Sequence, residues 1–215
     1  MQFLAQFFLL FQKGGPVMYF LAFCSLMVVT IAAERFLYYR SLTTDTEGFL
    51  GRLRPLLEEN RLDEAILLSE NTPGLAGKIA VQGLSDYQRG GNVENSLEGA
   101  SMMIAAQLRQ YLAYLSVIVS LSPLLGLLGT VVGMIHTFSV LNVKIGQPMA
   151  ITGGVGEALI ATATGLTVAI LALICHTYFS QRLDKMVTEM ERICAAVINS
   201  LGSGAKRGRP ADEIA

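Results

Sequence analysis

Apolar residues run without a charge through three stretches of the chain, 14–33, 110–143 and 158–181. A bilayer's hydrocarbon core is ~30 Å thick and takes ~20 helical residues to cross, so each stretch is long enough to span it. No other gap between charges is apolar enough. The pattern therefore predicts an all-α integral membrane protein with three transmembrane helices, over 16–38, 109–141 and 155–181. An outer N-terminal segment (1–15) precedes them, and a short outer connection (142–154) joins the second to the third. Between the first two spans lies a helical domain, 39–108. Two spans should continue far beyond the membrane. Residues 93–141 are interrupted only by glycines and Pro123, and as helix they would reach ~73 Å at ~1.5 Å per residue. No Gly or Pro stands between Gly165 and Gly202, and after Arg182 apolar residues recur at Leu183, Met186, Val187, Met190, Ile193, Cys194, Val197, Ile198 and Leu201. Steps of three and four place these on one helix face, with charges on the other. This predicts an amphipathic helix over 182–202 that needs partners for its seam, followed by a flexible basic tail, 203–215.

Within 39–108 the periodicity is helical and short-ranged. Phe49, Leu50, Leu53, Leu56 and Leu57 share a face, as do Leu62, Ala65, Ile66 and Ser69. Breaks are expected at Asn60, at Thr72-Pro73-Gly74 and at Gly90-Gly91. Leu97, Ile104, Leu108 and Leu115 give the segment leading into the second span its own apolar seam. The acids Glu58, Glu59, Asp63 and Glu64 read as solvated helix-surface charges.

Composition agrees with this pattern. Of 215 residues, 52% are hydrophobic and 15% charged, against ~25% charged in soluble domains. The chain is too apolar for disorder, and a net charge of −1 excludes a globally basic nucleic-acid binder. The basic run Lys206-Arg207-Gly208-Arg209 reads as a topology signal or a flexible end, so no nucleic acid is expected as a partner. Of 16 Lys and Arg, eight lie from Glu34 through Arg109 and six from Arg182 onward. The positive-inside rule makes these segments cytoplasmic, with the N-terminus and the 142–154 connection periplasmic. Lys13 alone precedes the first span while Arg35 and Arg40 follow it, and no A-x-A cleavage site is present; this reads as an uncleaved span, not a secretory signal. Cys24, Cys175 and Cys194 are far apart, as are His136 and His176, so neither a metal site nor a cofactor is expected. No nucleophile–base pair is visible, and an enzyme is not expected.

The informative feature is a pair of strips of small and hydroxyl residues. On a helical wheel Ser122, Gly126, Gly129, Thr130, Gly133 and Thr137 share one band of the second span, just after Pro123. Ala158, Ala161, Thr162, Gly165, Ala169 and Ala172 share a band of ~120° on the third. Two readings stand. Small residues let helices approach closely in lipid, where little hydrophobic force holds them together. Alternatively the strips line a cavity or cradle a foreign helix, and threonine hydroxyls order water or ions there. Glu157 is the acid that borders the third span. It reads either as the acid of a pore mouth or as a helix N-terminal residue favoured by the macrodipole after Gly153-Gly154. His136, at the edge of the strip, is a titratable neighbour or a packing histidine. The charge-free stretches hold no Asp, Lys or Arg. Membrane proton relays use titratable side chains, so a proton carrier would have to come from a partner.

The run Pro123-Leu-Leu-Gly-Leu-Leu-Gly-Thr-Val-Val-Gly-Met-Ile-His-Thr-Phe138, followed by Gly156-Glu-Ala-Leu-Ile-Ala-Thr-Ala-Thr-Gly-Leu166, resembles the signature of the TolQ/ExbB/MotA proton-channel family. The three-span layout with a large loop after the first span is similar to the TolQ/ExbB branch, not to the four-span MotA branch. Val132 stands where the family often has Trp. The resemblance implies a pentameric ring in the bacterial inner membrane around two single-span subunits of the ExbD/TolR kind, each carrying a transmembrane Asp. It implies that Thr130 and Thr162 face that Asp, that Glu157 stands near the route, and that proton flow drives work on a TonB- or TolA-like client. The expectation is thus an ion-driven motor subunit, with protons as the expected ion and with Thr130, Thr162, Glu157, Thr137 and His136 facing the pathway or partner. Pro123, Gly126, Gly129, Gly133, Ala158, Ala161, Gly165 and Ala169 would pack or line the strips. The alternatives are a structural membrane scaffold without ion flux, or a stand-alone channel or transporter.

Overall fold

The computed structural model describes the backbone of residues 14–143 and 148–207, and side chains within 14–139 and 153–202. The expected outer segment up to residue 13 and the end of the basic tail, 208–215, lie outside the described residues. The chain is all-α, in seven described helices: α1 Val17–Leu42, α2 Thr46–Glu58, α3 Leu62–Glu70, α4 Leu75–Gln88, α5 Val93–Arg109, α6 Leu112–Val143 and α7 Pro148–Arg207. Three helical stretches are long and apolar enough to cross a membrane. The chain divides into two compact units. One holds residues up to Arg35 and Tyr111–Phe179; the other holds Phe36–Gln110 and the residues from Ser180.

The first unit contains the spans. Val17, Met18 and Leu21 of α1 are buried against Leu125 and Val132 of α6 and Ile160 of α7. Large apolar side chains are exposed on all three helices, among them Phe20, Phe23, Leu124, Ile135, Leu159 and Ile174. That is the surface a lipid-facing bundle requires. Arg35 is buried at the end of this unit's part of α1. Its guanidinium carbon lies 4.3 Å from the centre of the Tyr111 ring and its Nε lies 2.8 Å from the Glu34 carboxylate.

The second unit is built as an aqueous helical domain. Asp45 caps α2, accepting from the Gly48 N–H at 3.2 Å, and Asn92 caps α5, accepting from Asn95 at 3.1 Å; each satisfies a donor that the helix leaves open. The chain turns at Asn60, Gly74 and Gly90, all with positive φ, where the turn residues predict breaks. Pro55 sits inside α2 without ending it. Phe49, Leu53, Leu57, Ile79, Leu84, Leu97 and Leu108 are buried with Leu183, Met186, Met190, Ile193 and Val197 of α7. The seam read from steps of three and four is the buried one.

Three boundaries differ from expectation. α7 begins at Pro148 and passes through Gly153, Gly154 and Gly156, so most of the expected 142–154 connection is helical. Glycine weakens a helix by only about 1 kcal/mol per residue, which the flanking helical turns and their packing outweigh. Proline is also well suited to a first helical position. At its other end α7 runs through Gly202 to Arg207, into the stretch expected to be flexible. The run expected to be unbroken from residue 93 is interrupted at Gln110–Tyr111. There the buried Tyr39 hydroxyl donates to the Leu108 carbonyl at 3.0 Å, capping the last turn of α5.

The buried seam sets a stability test. Leu97→Ala should cost about 2–5 kcal/mol, and Leu67→Ala, at a side chain 59% exposed, less than about 0.5 kcal/mol. Thermal unfolding of the detergent-solubilised variants reads the difference.

Candidate functional site: the α6–α7 seam

The two small-residue strips face each other within one chain. A methyl group built on Gly165 would lie 2.6 Å from the Ser122 carbonyl oxygen and 2.9 Å from Gly126 Cα. One on Gly126 would lie 3.1 Å from Thr162 Cα and 3.2 Å from the Ala161 carbonyl oxygen. One on Gly129 would collide with the Ala161 methyl, and one on Gly133 would meet Ala158 and the Gly154 carbonyl at 3.2 Å. The backbones are therefore nearly in contact, with Ala158, Ala161, Ala169 and Ala172 buried beside them. Pro123 lies inside α6 without ending it.

The hydroxyls fall into distinct places. Thr162 is half-buried and donates across the seam to the Gly126 carbonyl at 3.1 Å. Thr137 is buried and donates to Gly133 of its own helix at 2.8 Å, while its hydroxyl occupies the space a side chain on Gly154 would need. Thr130 is half-exposed, not in the seam, and donates to the Leu127 carbonyl at 2.6 Å. Its proton is thus engaged, and it presents acceptor lone pairs outward. Thr164 and Thr167 are engaged in the same way, with the Ile160 and Ala163 carbonyls. Thr130 and Thr162 are not hydrogen-bonded to one another.

At the far end of the seam Glu157 and His136 come together. Glu157 Oε2 lies 4.0 Å from His136 Nδ1, with the His side chain 67% and the Glu side chain 22% exposed. The Glu157 carboxylate packs against Gly15, at the turn leading into α1, where φ is +72° and a side chain on Gly15 would strike it. Glu157 is not a helix N-terminal acid, since α7 starts nine residues earlier. Gly15 and Gly154 are the contributors that sequence reasoning missed. The Gly153-Gly154 pair was visible, but it read as a helix break.

No group of three or more His, Cys, Asp or Glu residues that could hold a metal occurs among the described residues. In the second unit, burial pushes the Cys194 thiol above its usual range, opposed by its hydrogen bond with Ser101. A raised pKa keeps that thiol in its unreactive form.

A model of the MotA/TolQ/ExbB proton channel family matches residues 71–192. The chain belongs to that family. It is 30% identical over 189 residues to the biopolymer transport protein exbB1 of Vibrio cholerae, covering 84% of this chain and 82% of that one. It is 28% identical over 186 residues to an ExbB homolog of Methanothermobacter thermautotrophicus, covering 86% of this chain and 66% of that protein's length. It is 39% identical over 82 residues to the Tol-Pal system protein TolQ of Pseudomonas aeruginosa, which is 38% of this chain and 36% of that one. The fold is shared with a chain of the C. jejuni MotAB structure, with a TM-score of 0.56 and 19% identity over 95% of this chain and 85% of that chain. These relationships make the protein a multi-pass membrane member of the MotA/TolQ/ExbB proton channel family, and the matched region takes in both sides of the seam.

The seam's tightness is testable. Gly165→Ala should destabilise by about 1–3 kcal/mol through overpacking against backbone. Gly156→Ala, which meets nothing within 4 Å, should stabilise by about 0.5–1 kcal/mol. Opposite shifts in the thermal unfolding midpoint are the expected result.

Proposed function

We propose that this chain is the ring subunit of a proton-driven motor in the bacterial inner membrane. Five copies enclose two single-span subunits of the ExbD/TolR kind, each supplying a transmembrane Asp. The assembly does work on a TonB- or TolA-like client. The N-terminus is periplasmic and the C-terminus cytoplasmic, and the chain itself is not an enzyme.

One observation carries this reading: the spans offer hydroxyls as acceptors but no carboxylate at mid-depth. The charge-free stretches hold no Asp, Lys or Arg, and Glu157 stands at one end of the seam beside His136. Hydroxyls whose protons are tied to carbonyls, such as Thr130, accept a hydrogen bond from a protonated carboxyl. They cannot carry the proton themselves. A partner Asp supplies the missing group, with Glu157 and His136 at the periplasmic mouth. Energetically, one charge moved through 100 mV supplies ~2.3 kcal/mol, enough for a few protons to bias a rotary step.

The scaffold and stand-alone channel readings lead to different outcomes. Thr162→Val keeps the shape of the side chain but removes the hydroxyl. A motor subunit should lose at least about tenfold of its proton flux, a barrier increase of ~1.4 kcal/mol, while the complex still purifies intact. Unchanged function in that variant favours the scaffold. Flux measured with a pH-sensitive dye in liposomes should be negligible until the single-span subunit is co-reconstituted; flux from this chain alone favours the stand-alone channel.

A further inference from the structure

Ser122 lies on α6 one turn before Gly126, on the face that meets α7 at Gly165. Its side chain is 0% exposed, and its hydroxyl has no hydrogen-bond partner in the protein. A helical serine in an apolar setting can turn its hydroxyl back to a carbonyl of the preceding turn. Several other hydroxyls of these spans do so: Ser120 to Ser116, Thr137 to Gly133, Thr164 to Ile160. Ser122 does not. The next residue, Pro123, lies inside the helix and has no N–H, so the Val119 carbonyl loses its usual α-helical donor. A hydroxyl and a carbonyl within one turn are thus left to find partners in the part of the chain least able to supply them. A buried polar group without a partner is costly, and ordered water is the usual remedy where two or more such groups converge.

We propose that Ser122 and the Val119 carbonyl hold a water molecule in the α6–α7 seam, about one helical turn from the Thr162–Gly126 hydrogen bond. Ser122 can donate to the water or accept from it, and the water can donate to the carbonyl. The water site stands on the geometry alone. Its functional consequence rests on the motor reading: the water extends the polar wall of the ion route beyond Thr162, toward the Leu112 end of α6. There it accepts an arriving proton and releases one of its own, with no net change.

Radiolytic hydroxyl-radical footprinting of the purified full-length protein tests the site. Radicals formed from a bound water label its immediate neighbours, so Pro123 should be oxidised several-fold faster in wild type than in Ser122→Ala, with Ser122→Thr close to wild type. Equal rates in wild type and Ser122→Ala overturn the site. A higher melting temperature in Ser122→Ala would also overturn it, since that is the result expected for a dry, unsatisfied hydroxyl. In co-reconstituted liposomes, Ser122→Ala should lower proton flux about threefold or more with assembly intact. Undiminished flux in Ser122→Ala while Thr162→Val abolishes it overturns the role on the route and leaves the motor reading standing. Failure of the wild-type complex to conduct overturns the motor reading, and the footprint still decides the water.

Discussion

The near contact of the α6 and α7 backbones along Gly126, Gly129, Gly133 and Gly165 is the constraint on which the first unit depends. Lipid chains are as apolar as leucine, so burying leucine between two spans gains little. What holds such helices is close van der Waals packing and the hydrogen bonds that proximity permits. Here both occur together. The glycines bring the backbones close enough for Thr162 to reach the Gly126 carbonyl of the other helix. A side chain on either glycine would separate the two. The same contact fixes the mutual register of α6 and α7, and that register sets Glu157 beside His136.

The second unit solves the opposite problem with the same helix. After Ser180, α7 carries charged residues on one face and a buried seam of Leu183, Met186, Met190, Ile193 and Val197 on the other, an arrangement that the hydrophobic effect stabilises. Its packing residues are accordingly large, where those of the span are small. Ser101 and Cys194, 3.3 Å apart, are a minor polar exception. One continuous helix thus carries two packing codes, and the change from alanine and glycine to leucine and methionine along its face marks a change of solvent.

Much of this was legible in the residues. Uncharged length alone found the spans, and steps of three and four found the buried face after Arg182. The strips on both spans were visible on a wheel. Even the different fates of the threonines have a sequence basis: Gly126, Gly129 and Gly133 fall within ~60° of one another, while Thr130 lies ~40° beyond them, at the edge where the structure leaves it half-exposed. What a wheel cannot supply is a partner. That the strips face each other, that His136 meets Glu157, and that Gly15 abuts the same carboxylate depend on the register between distant segments. The start of α7 differs from expectation because a glycine pair weakens a helix, by about 1 kcal/mol per residue, without ending it. The interruption at Gln110–Tyr111 has no local signal, since its cap is the Tyr39 hydroxyl, many residues away in sequence.

A wall of engaged hydroxyls also suggests how proton uptake could become motion, on the reading proposed above. Carbonyls and hydroxyls are too weakly basic to hold a proton at neutral pH, so they cannot form a relay alone. They can stabilise one form of a visiting carboxyl group more than the other. An ionised carboxylate away from hydrogen-bond donors and from water is expensive in hydrocarbon, whereas a neutral acid is tolerated far better. Thr130 offers lone pairs, not a proton, and so favours the protonated form. A carboxyl that is neutral beside such a wall and ionised at a wetter position has two preferred places, one for each charge state. Each proton bound or released then moves the balance between them, which is the condition for a ligand to drive a two-state change. The ring needs no acid of its own at mid-depth for this, and a fixed one would bind the same proton and weaken the bias.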